Sequence, residues 1–377
     1  MIYLDHNATT PLDARVREAM LPYLGAEPGN PSSAHRFGRR ARAALDRARE
    51  QVAALVGVQP RQVIFTSGGT EANNLALFGL AAMERPGCLA RSPVEHPSVI
   101  EPARILENRD WALDWLPVDA DGRVDVASWE PAAETRIVSM MWANNETGVA
   151  QPVAELAAKA RAAGALVHSD AVQALGKLPV DFGASGAHLL TLSSHKINGP
   201  QGAGALIVDP AIDLAPLQHG GGQECGLRNG TENLAGIVGF GRAAELAGEE
   251  RERRATTARA LITRLVDGVA GISGATLFAA TAERLPNTLL FAIDGIDGEA
   301  LLLALDREGI AVSSGSACHS GTGAPSHVLS AMGVSDPVAR GAIRISVGQG
   351  NRTDDIEALL AALGRQVTAL RQLVATA

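Results

Sequence analysis

The sequence predicts an α/β protein: a mostly parallel central sheet in a large domain, joined to a smaller α+β domain. Three observations carry that expectation. Short apolar runs end repeatedly in polar tips that open helical stretches, as where Val63-Ile64-Phe65-Thr66 runs into Ser67-Gly68-Gly69-Thr70, and this repeat of strand, polar tip and helix is the pattern of a parallel sheet whose ligands gather at strand ends. From about residue 270 the style changes to shorter strands and helices. A chain of 377 residues is also long for a single core, so two domains are expected.

Taken in order, Ile2-Tyr3-Leu4 is a short strand, and Asn7-Ala8-Thr9-Thr10-Pro11 is a loop before a helix. Gly29-Asn30-Pro31-Ser32-Ser33 is a second loop, and Arg39 to Leu55 carries the spacing of an amphipathic helix. The strand Val63 to Thr66 leads into a helix over Glu71 to Ala82. A strand at Leu89 to Arg91 precedes Val94-Glu95-His96-Pro97 and a helix ending near Asn108. Ile137 to Trp142 is a buried strand ending at Ala143-Asn144-Asn145-Glu146-Thr147-Gly148, and Ala165 to Asp170 is another, ending in a carboxylate. Strands at Leu189 to Leu192 and Ala205 to Val208 complete the series.

Gly220 to Thr231 is a glycine-rich loop too polar for a core. A long charged helix from Asn233 to Val269 follows, with Arg251-Glu252-Arg253-Arg254 as a solvated face, and is the candidate connector between domains. Beyond it lie strands at Thr288 to Ile293 and Ile310 to Ser313, a helix at Glu299 to Glu308, a strand at Ala342 to Val347 and a terminal helix. The expected division is a large domain over 12–255 and a small domain made of 1–11 with 256–377, joined by the N-terminal strand.

Hydrophobic residues at 46% with 20% charged are the balance of a globular protein with a sizeable core. A net charge of −8 argues against a nucleic-acid surface or an anionic membrane as principal partner and favours a small-molecule substrate. Cys88, Cys225 and Cys318 are too few and too scattered for a disulfide framework or a zinc site. The N-terminal stretch lacks a basic segment followed by an apolar one, and no apolar run has bilayer-spanning length, so a cytoplasmic location is expected.

Only three lysines occur, Lys159, Lys177 and Lys196. Lys159 follows Glu155 by four residues and reads as half of a surface ion pair. Lys177 lies in a turn-like stretch without a polar cluster and reads as solvated. Lys196 alone has hydroxyls and a histidine directly before it, in Ser193-Ser194-His195-Lys196, at the end of an apolar strand. A buried amine is costly unless it is neutralised, paired or used covalently.

Each other strand tip has an ordinary reading when taken alone. Ser67-Gly68-Gly69-Thr70 places free N–H groups and a helix dipole where an anion such as phosphate binds, or simply caps a helix. Asp170 needs a cation or a protonated nitrogen, or caps the next helix. His96 has the residue type of a flat ring for stacking, or of a satisfied structural group. Together with Lys196 they are the set that pyridoxal 5'-phosphate requires: a phosphate cradle, a carboxylate for a ring nitrogen, a ring to stack and an amine.

The ordered motifs also resemble a known family. Ser169-Asp170-Ala171-Val172-Gln173 and Ser193-Ser194-His195-Lys196 are similar to the class V aminotransferase group of fold type I pyridoxal-phosphate enzymes. Tyr3 to Thr10, Gly29 to Ser33, Trp142 to Gly148 and Ser313-Ser314-Gly315-Ser316-Ala317-Cys318 resemble NifS/IscS-type cysteine desulfurases, over a span from residue 2 to at least Val347. The resemblance implies that Lys196 holds the cofactor as an internal aldimine and shuttles protons, that Asp170 pairs with its pyridine nitrogen, and that Gln173 bonds its phenolic oxygen. It implies that His96 stacks on the ring and assists proton transfer. Gly69, Thr70, Ser193 and His195 are implied to hold the phosphate, joined by Thr231 of the second subunit of a homodimer. Asn145 and Arg344 are implied to meet the substrate carboxylate, with Asn30 nearby; a planar guanidinium suits that task.

Cys318 decides which reaction is expected. Its flanks, Ser313 to Ser316 and His319-Ser320-Gly321-Thr322-Gly323, are too small and polar for core, and a thiolate there is the natural sulfur acceptor. The implied function is conversion of L-cysteine to L-alanine, with sulfur held as a Cys318 persulfide and passed to an acceptor protein such as an iron–sulfur scaffold. Selenocysteine lyase, which uses the same machinery, stays open, as does a non-catalytic sulfur-delivery or scaffold subunit. Two positions depart from the family pattern: Ser194 stands where many relatives have Gly, and Cys225 where they usually have Arg.

Overall fold

The computed structural model describes residues 1–25, 29–314 and 325–376. Its largest element is a seven-stranded sheet in the order 63–66, 204–208, 189–193, 166–170, 135–139, 88–91, 112–115. Every neighbouring pair is parallel except the two made by Gly204–Val208, which runs against both Val63–Thr66 and Leu189–Ser193. Alternate residues along each strand enter different cores. Val63 and Phe65 join one apolar cluster and Ile64 the other, as Ala205 and Ile207 separate from Leu206. This period of two means that both faces of the sheet are covered, which explains why its strands read as unbroken apolar runs.

A four-stranded antiparallel sheet lies in the later half, in the order 313–314, 343–346, 288–293, 275–277. It too is two-faced: Leu289, Phe291 and Ile293 enter one cluster, Leu290 and Ala292 another. The N-terminal strand joins this region, with Ile2 opposite Ile310 and Tyr3 opposite Ala311 in parallel pairing. The helix Leu234–Ala270 connects the two parts. Its residues from Ile237 to Ala247 pack into a core of the large sheet, and those from Ala258 to Val269 into that of the small one.

Two expectations need correction, and one strand was not expected. The run Ile137 to Trp142 is a strand only over Thr135–Ser139, although Met140 and Trp142 still donate to the carbonyls of His168 and Asp170. Ile310 to Ser313 is not one strand. Ile310–Ala311 pairs with the N-terminal strand and Ser313–Ser314 with Ile343–Ser346, so the chain changes sheets at Val312. The sheet edge Ala112–Trp115 was not predicted, because its exposed or half-buried residues give no apolar run. No described helix is long and apolar enough to cross a membrane.

Candidate active site

The strand Leu189–Ser193 runs directly into a tight turn, Ser194–Lys196, closed by Ile197 N and Gly199 N donating to Ser194 O. The turn aims Lys196 at the N-terminal segment, where its Nζ donates to the carbonyls of Asn7 at 2.5 Å and Ala8 at 2.7 Å. Thr10 ties the two segments together, its N and Oγ1 donating to His195 O at 3.0 and 2.8 Å. His195 Nδ1 lies 3.1 Å from Thr9 Oγ1. Burial, then the charges of Lys196 and Lys177, lower the His195 pKa to about 4, so its ring is neutral near pH 7.

Next to that turn the strand Leu166–Asp170 ends in a buried carboxylate. Asp170 Oδ1 accepts from Val172 N at 2.9 Å, and Oδ2 from Asn73 Nδ2 at 2.7 Å. Asn73 sits near the start of the helix Gly69–Met83 and also donates to Ser98 Oγ at 2.8 Å, while Ser98 Oγ lies 2.7 Å from His96 Nδ1. His96 caps the helix Pro97–Glu107, and its Nδ1 accepts from Ser98 N at 3.1 Å, which leaves the proton of the neutral ring on Nε2. Burial is the largest influence on this imidazole and lowers its pKa; Asp170 opposes that shift and Lys196 adds to it.

At the other end of the cavity, the helix beginning at Gly69 presents its unpaired N–H groups. A side chain at Gly69 would place its Cβ 2.9 Å from Val172 Cγ2, so the wall is closed to anything larger. Ser193 Oγ is buried here without a hydrogen-bond partner. An orphaned hydroxyl, helix N–H groups and a neutral histidine form a donor set suited to an anion.

Nine of the residues picked from sequence therefore line one cavity: Gly69, Thr70, His96, Asn145, Asp170, Gln173, Ser193, His195 and Lys196. Four are elsewhere. Arg344 lies behind the wall, buried, with Nη2 2.7 Å from Asp5 Oδ1 and Nη1 donating to Asn145 O at 2.9 Å. Asn30 is exposed and accepts from Ser32 N. Thr231 is exposed, just before the helix Leu234–Ala270. Cys318 lies outside the described residues.

Sequence reasoning missed Asn73, Ser98 and Asn7. Asn73 left a usable signal, a polar residue one turn after Thr70 on a helix that is apolar from Leu75 onward. The other two lysines need correction. Lys159 is an ion-pairing residue, but its partner is Glu130 at 3.0 Å rather than Glu155, because its Nζ also donates to the carbonyls of Val126 and Ala127. Lys177 is not a solvated residue: it is partly buried, donates to Gln173 Oε1 at 2.9 Å, and burial lowers its pKa to about 7.

Comparison with known proteins agrees with this arrangement. The class-V aminotransferase family matches residues 2–359. The chain is 43% identical to "Cysteine desulfurase IscS" of Dictyoglomus turgidum, covering 99% of this chain and 96% of that one. It is 42% identical to "Cysteine desulfurase IscS 1" of Archaeoglobus fulgidus, covering 99% and 98%. Among solved structures, a NifS-like protein from Rickettsia africae superposes with a TM-score of 0.88 at 35% identity, covering 98% and 99%. Matched over residues 2–359 by the family and over nearly its whole length by these relatives, this chain belongs to the class-V aminotransferase family, among the NifS/IscS-type cysteine desulfurases.

Proposed function

We propose that this protein converts L-cysteine to L-alanine, using pyridoxal 5'-phosphate held in the cavity around Lys196, and delivers the sulfur through Cys318. The observation that carries the reading is the convergence of Lys196, Asp170, His96 and Gln173 on one cavity whose far end holds the orphaned Ser193 hydroxyl and the helix start at Gly69. Those residues fit the cofactor. Gly69, Thr70, Ser193 and His195 would hold its phosphate, Asp170 its ring nitrogen, Gln173 its phenolic oxygen and His96 its ring face. Bound to Lys196, the cofactor supplies an electron sink for the α-carbon of the amino acid.

The chain's own residues do the rest. Asp170, fixed by Asn73 Nδ2 and Val172 N, would accept a hydrogen bond from the protonated ring nitrogen and hold that proton in place. Lys196 Nζ takes the α-proton and returns it. Asn145, and Arg344 through its contact with the Asn145 carbonyl, would orient the substrate carboxylate. The Cys318 thiolate attacks the substrate sulfur. The Cβ–S bond breaks, an S–S bond forms on Cys318, and the released carbon takes up a proton to end as alanine, so the step consumes no external oxidant or reductant.

We further read the chain as a homodimer in which Thr231 reaches the partner's phosphate site, in keeping with its distance from its own cavity lining. The cytoplasm is the expected location and a sulfur-acceptor protein the expected partner. The domain division at 12–255 and 1–11 with 256–377 is supported by the change of core along the long helix between Ala247 and Ala258.

The test is stoichiometry. Purified protein given L-cysteine should form alanine and persulfide in equal amounts. Cys318→Ser should retain the yellow cofactor and lose the persulfide, and Lys196→Ala should lose both colour and turnover. Alanine formation from selenocysteine but not cysteine would favour a selenocysteine lyase, and no turnover of either a scaffold subunit.

A further inference from the structure

Lys177 Nζ donates to Gln173 Oε1 at 2.9 Å, and the other end of the same amide, Nε2, donates to Asn7 O at 2.9 Å. That carbonyl also accepts from Lys196 Nζ. Lys177 can donate whether charged or neutral, the Asn7 carbonyl can only accept, and an amide can stand either way round in its pocket. The two contacts together therefore select one orientation: the Gln173 carbonyl faces Lys177, and its NH2 faces Asn7.

The setting makes this contact unusual for a lysine. Lys177 also lines a second cavity, on the far side of Lys196 from the site, together with His6, Asn198, Arg254 and Asn287. Among the described residues no carboxylate pairs with it; Glu250 is engaged by Arg15, Arg253 and Arg254, at 3.0, 2.9 and 2.7 Å. The charges that act on it, Lys196 and Arg344, are both positive, and His6 nearby is itself held neutral. A partly buried amine without a counter-ion is unfavourable, and its polar contact at this place is the Gln173 amide.

We infer that Lys177 is a positioning residue, which holds the Gln173 amide with its NH2 turned toward the phenolic oxygen of the bound cofactor. The inference rests on the cofactor reading above. A donor aimed at that oxygen stabilises its anionic form, and so eases loss of the proton shared between the oxygen and the Lys196 nitrogen. Lys177 thereby sets, through Gln173, the pH at which the coloured holoenzyme changes its absorption. A lysine that only filled space would leave that pH unmoved.

The experiment titrates the visible band of the holoenzyme from about pH 6 to 10, a range chosen to span shifts of about one unit either way. Wild type, Lys177→Met, Lys177→Gln, Lys177→Arg, Gln173→Ala and Lys177→Met with Gln173→Ala are compared, and thermal unfolding of each apo-protein reports on folding. Lys177→Met should raise the midpoint by about one pH unit. Lys177→Arg should stay near wild type, and Lys177→Met should add nothing once Gln173 is gone. If Lys177→Met does not fold, Lys177→Gln takes its place with the same expectation. An unmoved midpoint, or an equal shift in the absence of Gln173, overturns the inference. Wild-type protein that gains no visible band with pyridoxal phosphate overturns the cofactor reading and this inference with it, whereas a normal band that ignores Lys177 overturns the inference alone.

Discussion

Asn73 Nδ2 stands 2.7 Å from Asp170 Oδ2 and 2.8 Å from Ser98 Oγ, so a single amide joins the carboxylate of one strand end to the serine that holds His96. Its own Oδ1 is buried without a partner. The amide is thus oriented by its two acceptors, and Asp170 receives one of its two hydrogen bonds from a helix.

Asn73→Ala should leave Asp170 with the Val172 N contact alone. Pyridoxal phosphate should then dissociate about tenfold more readily, and the apo-protein should lose about 1 kcal/mol, the usual worth of a buried hydrogen bond. Cofactor release followed by dialysis and absorbance, with urea unfolding alongside, checks both. Unchanged cofactor retention would mean that the backbone amide is sufficient to hold Asp170.

Glu95 predicts a pH dependence of stability. Its side chain is fully buried, Oε1 accepts from Met141 N at 2.7 Å, and Oε2 has no partner. Burial, aided by the Asp170 charge, raises its pKa to about 8 from the ordinary 4.5. The unfolded chain therefore releases this proton at a pH where the folded chain keeps it, and the contribution, full below 4.5, is lost as pH rises toward 8. Glu95→Gln cannot ionise. Relative to wild type it should be near neutral at about pH 4.5 and more stable by a few kcal/mol at about pH 8. Denaturant midpoints measured across that range decide the matter, and a difference independent of pH would show that Glu95 is ionised in the folded protein.

The sheet was legible because its strands are buried on both faces, so Leu189 to Leu192 or Val63 to Thr66 leave continuous apolar runs in the sequence. The lysine turn was legible for a related reason: polar residues packed after such a run have no other place to go than a strand end. Neighbouring elements in space were harder to read. Glu130 lies 29 residues from Lys159, and nothing local distinguishes it from Glu155 as a partner. Lys177 is flanked by Gly176 and Leu178, and its contact with Gln173 exists only because the Ala171 to Leu178 turn is wound tightly, with Leu175 N and Leu178 N bonding back to Ala171 O and Ala174 O. Ala112–Trp115 failed by the opposite route, because a sheet edge open to water carries no apolar signature.

Ser194 is fully buried and its Oγ has no hydrogen-bond partner; a Cβ on Gly199 would come within 2.0 Å of that oxygen, so the two are in tight contact. The hydroxyl is desolvated with no compensating bond. Ser194→Ala should raise stability by about 1 kcal/mol and leave turnover of cysteine unchanged, since the Lys196 turn is closed by the Ser194 backbone carbonyl rather than its side chain. Thermal unfolding with parallel alanine assays tests this. A less stable variant would mean that the hydroxyl bonds a water in the folded protein.

Cys225 and Thr231 share one glycine-rich loop, 220–231. Glu224 and Cys225 both have positive φ, 45° and 59°, a region that side chains other than glycine adopt with strain. What opposes the strain is Glu224 itself, buried and fixed by Arg49 Nη1 at 2.7 Å, Arg49 Nη2 at 2.5 Å and Phe65 N at 2.8 Å. Arg49 in turn lies over the Phe65 ring, 4.7 Å from its centre. Loss of the guanidinium leaves a buried carboxylate with one amide donor, which costs about 3–5 kcal/mol. Arg49→Met should therefore destabilise the protein by about that amount and open the 220–231 loop to protease before the rest of the chain. Arg49→Lys should recover only part of the loss, because an ammonium cannot reproduce the two-pronged contact. If Thr231 serves the partner's phosphate site, Arg49→Met should also release pyridoxal phosphate faster than wild type at equal fraction folded. A destabilised variant that keeps its cofactor as well as wild type would confine Arg49 to holding the loop and separate Thr231 from the phosphate.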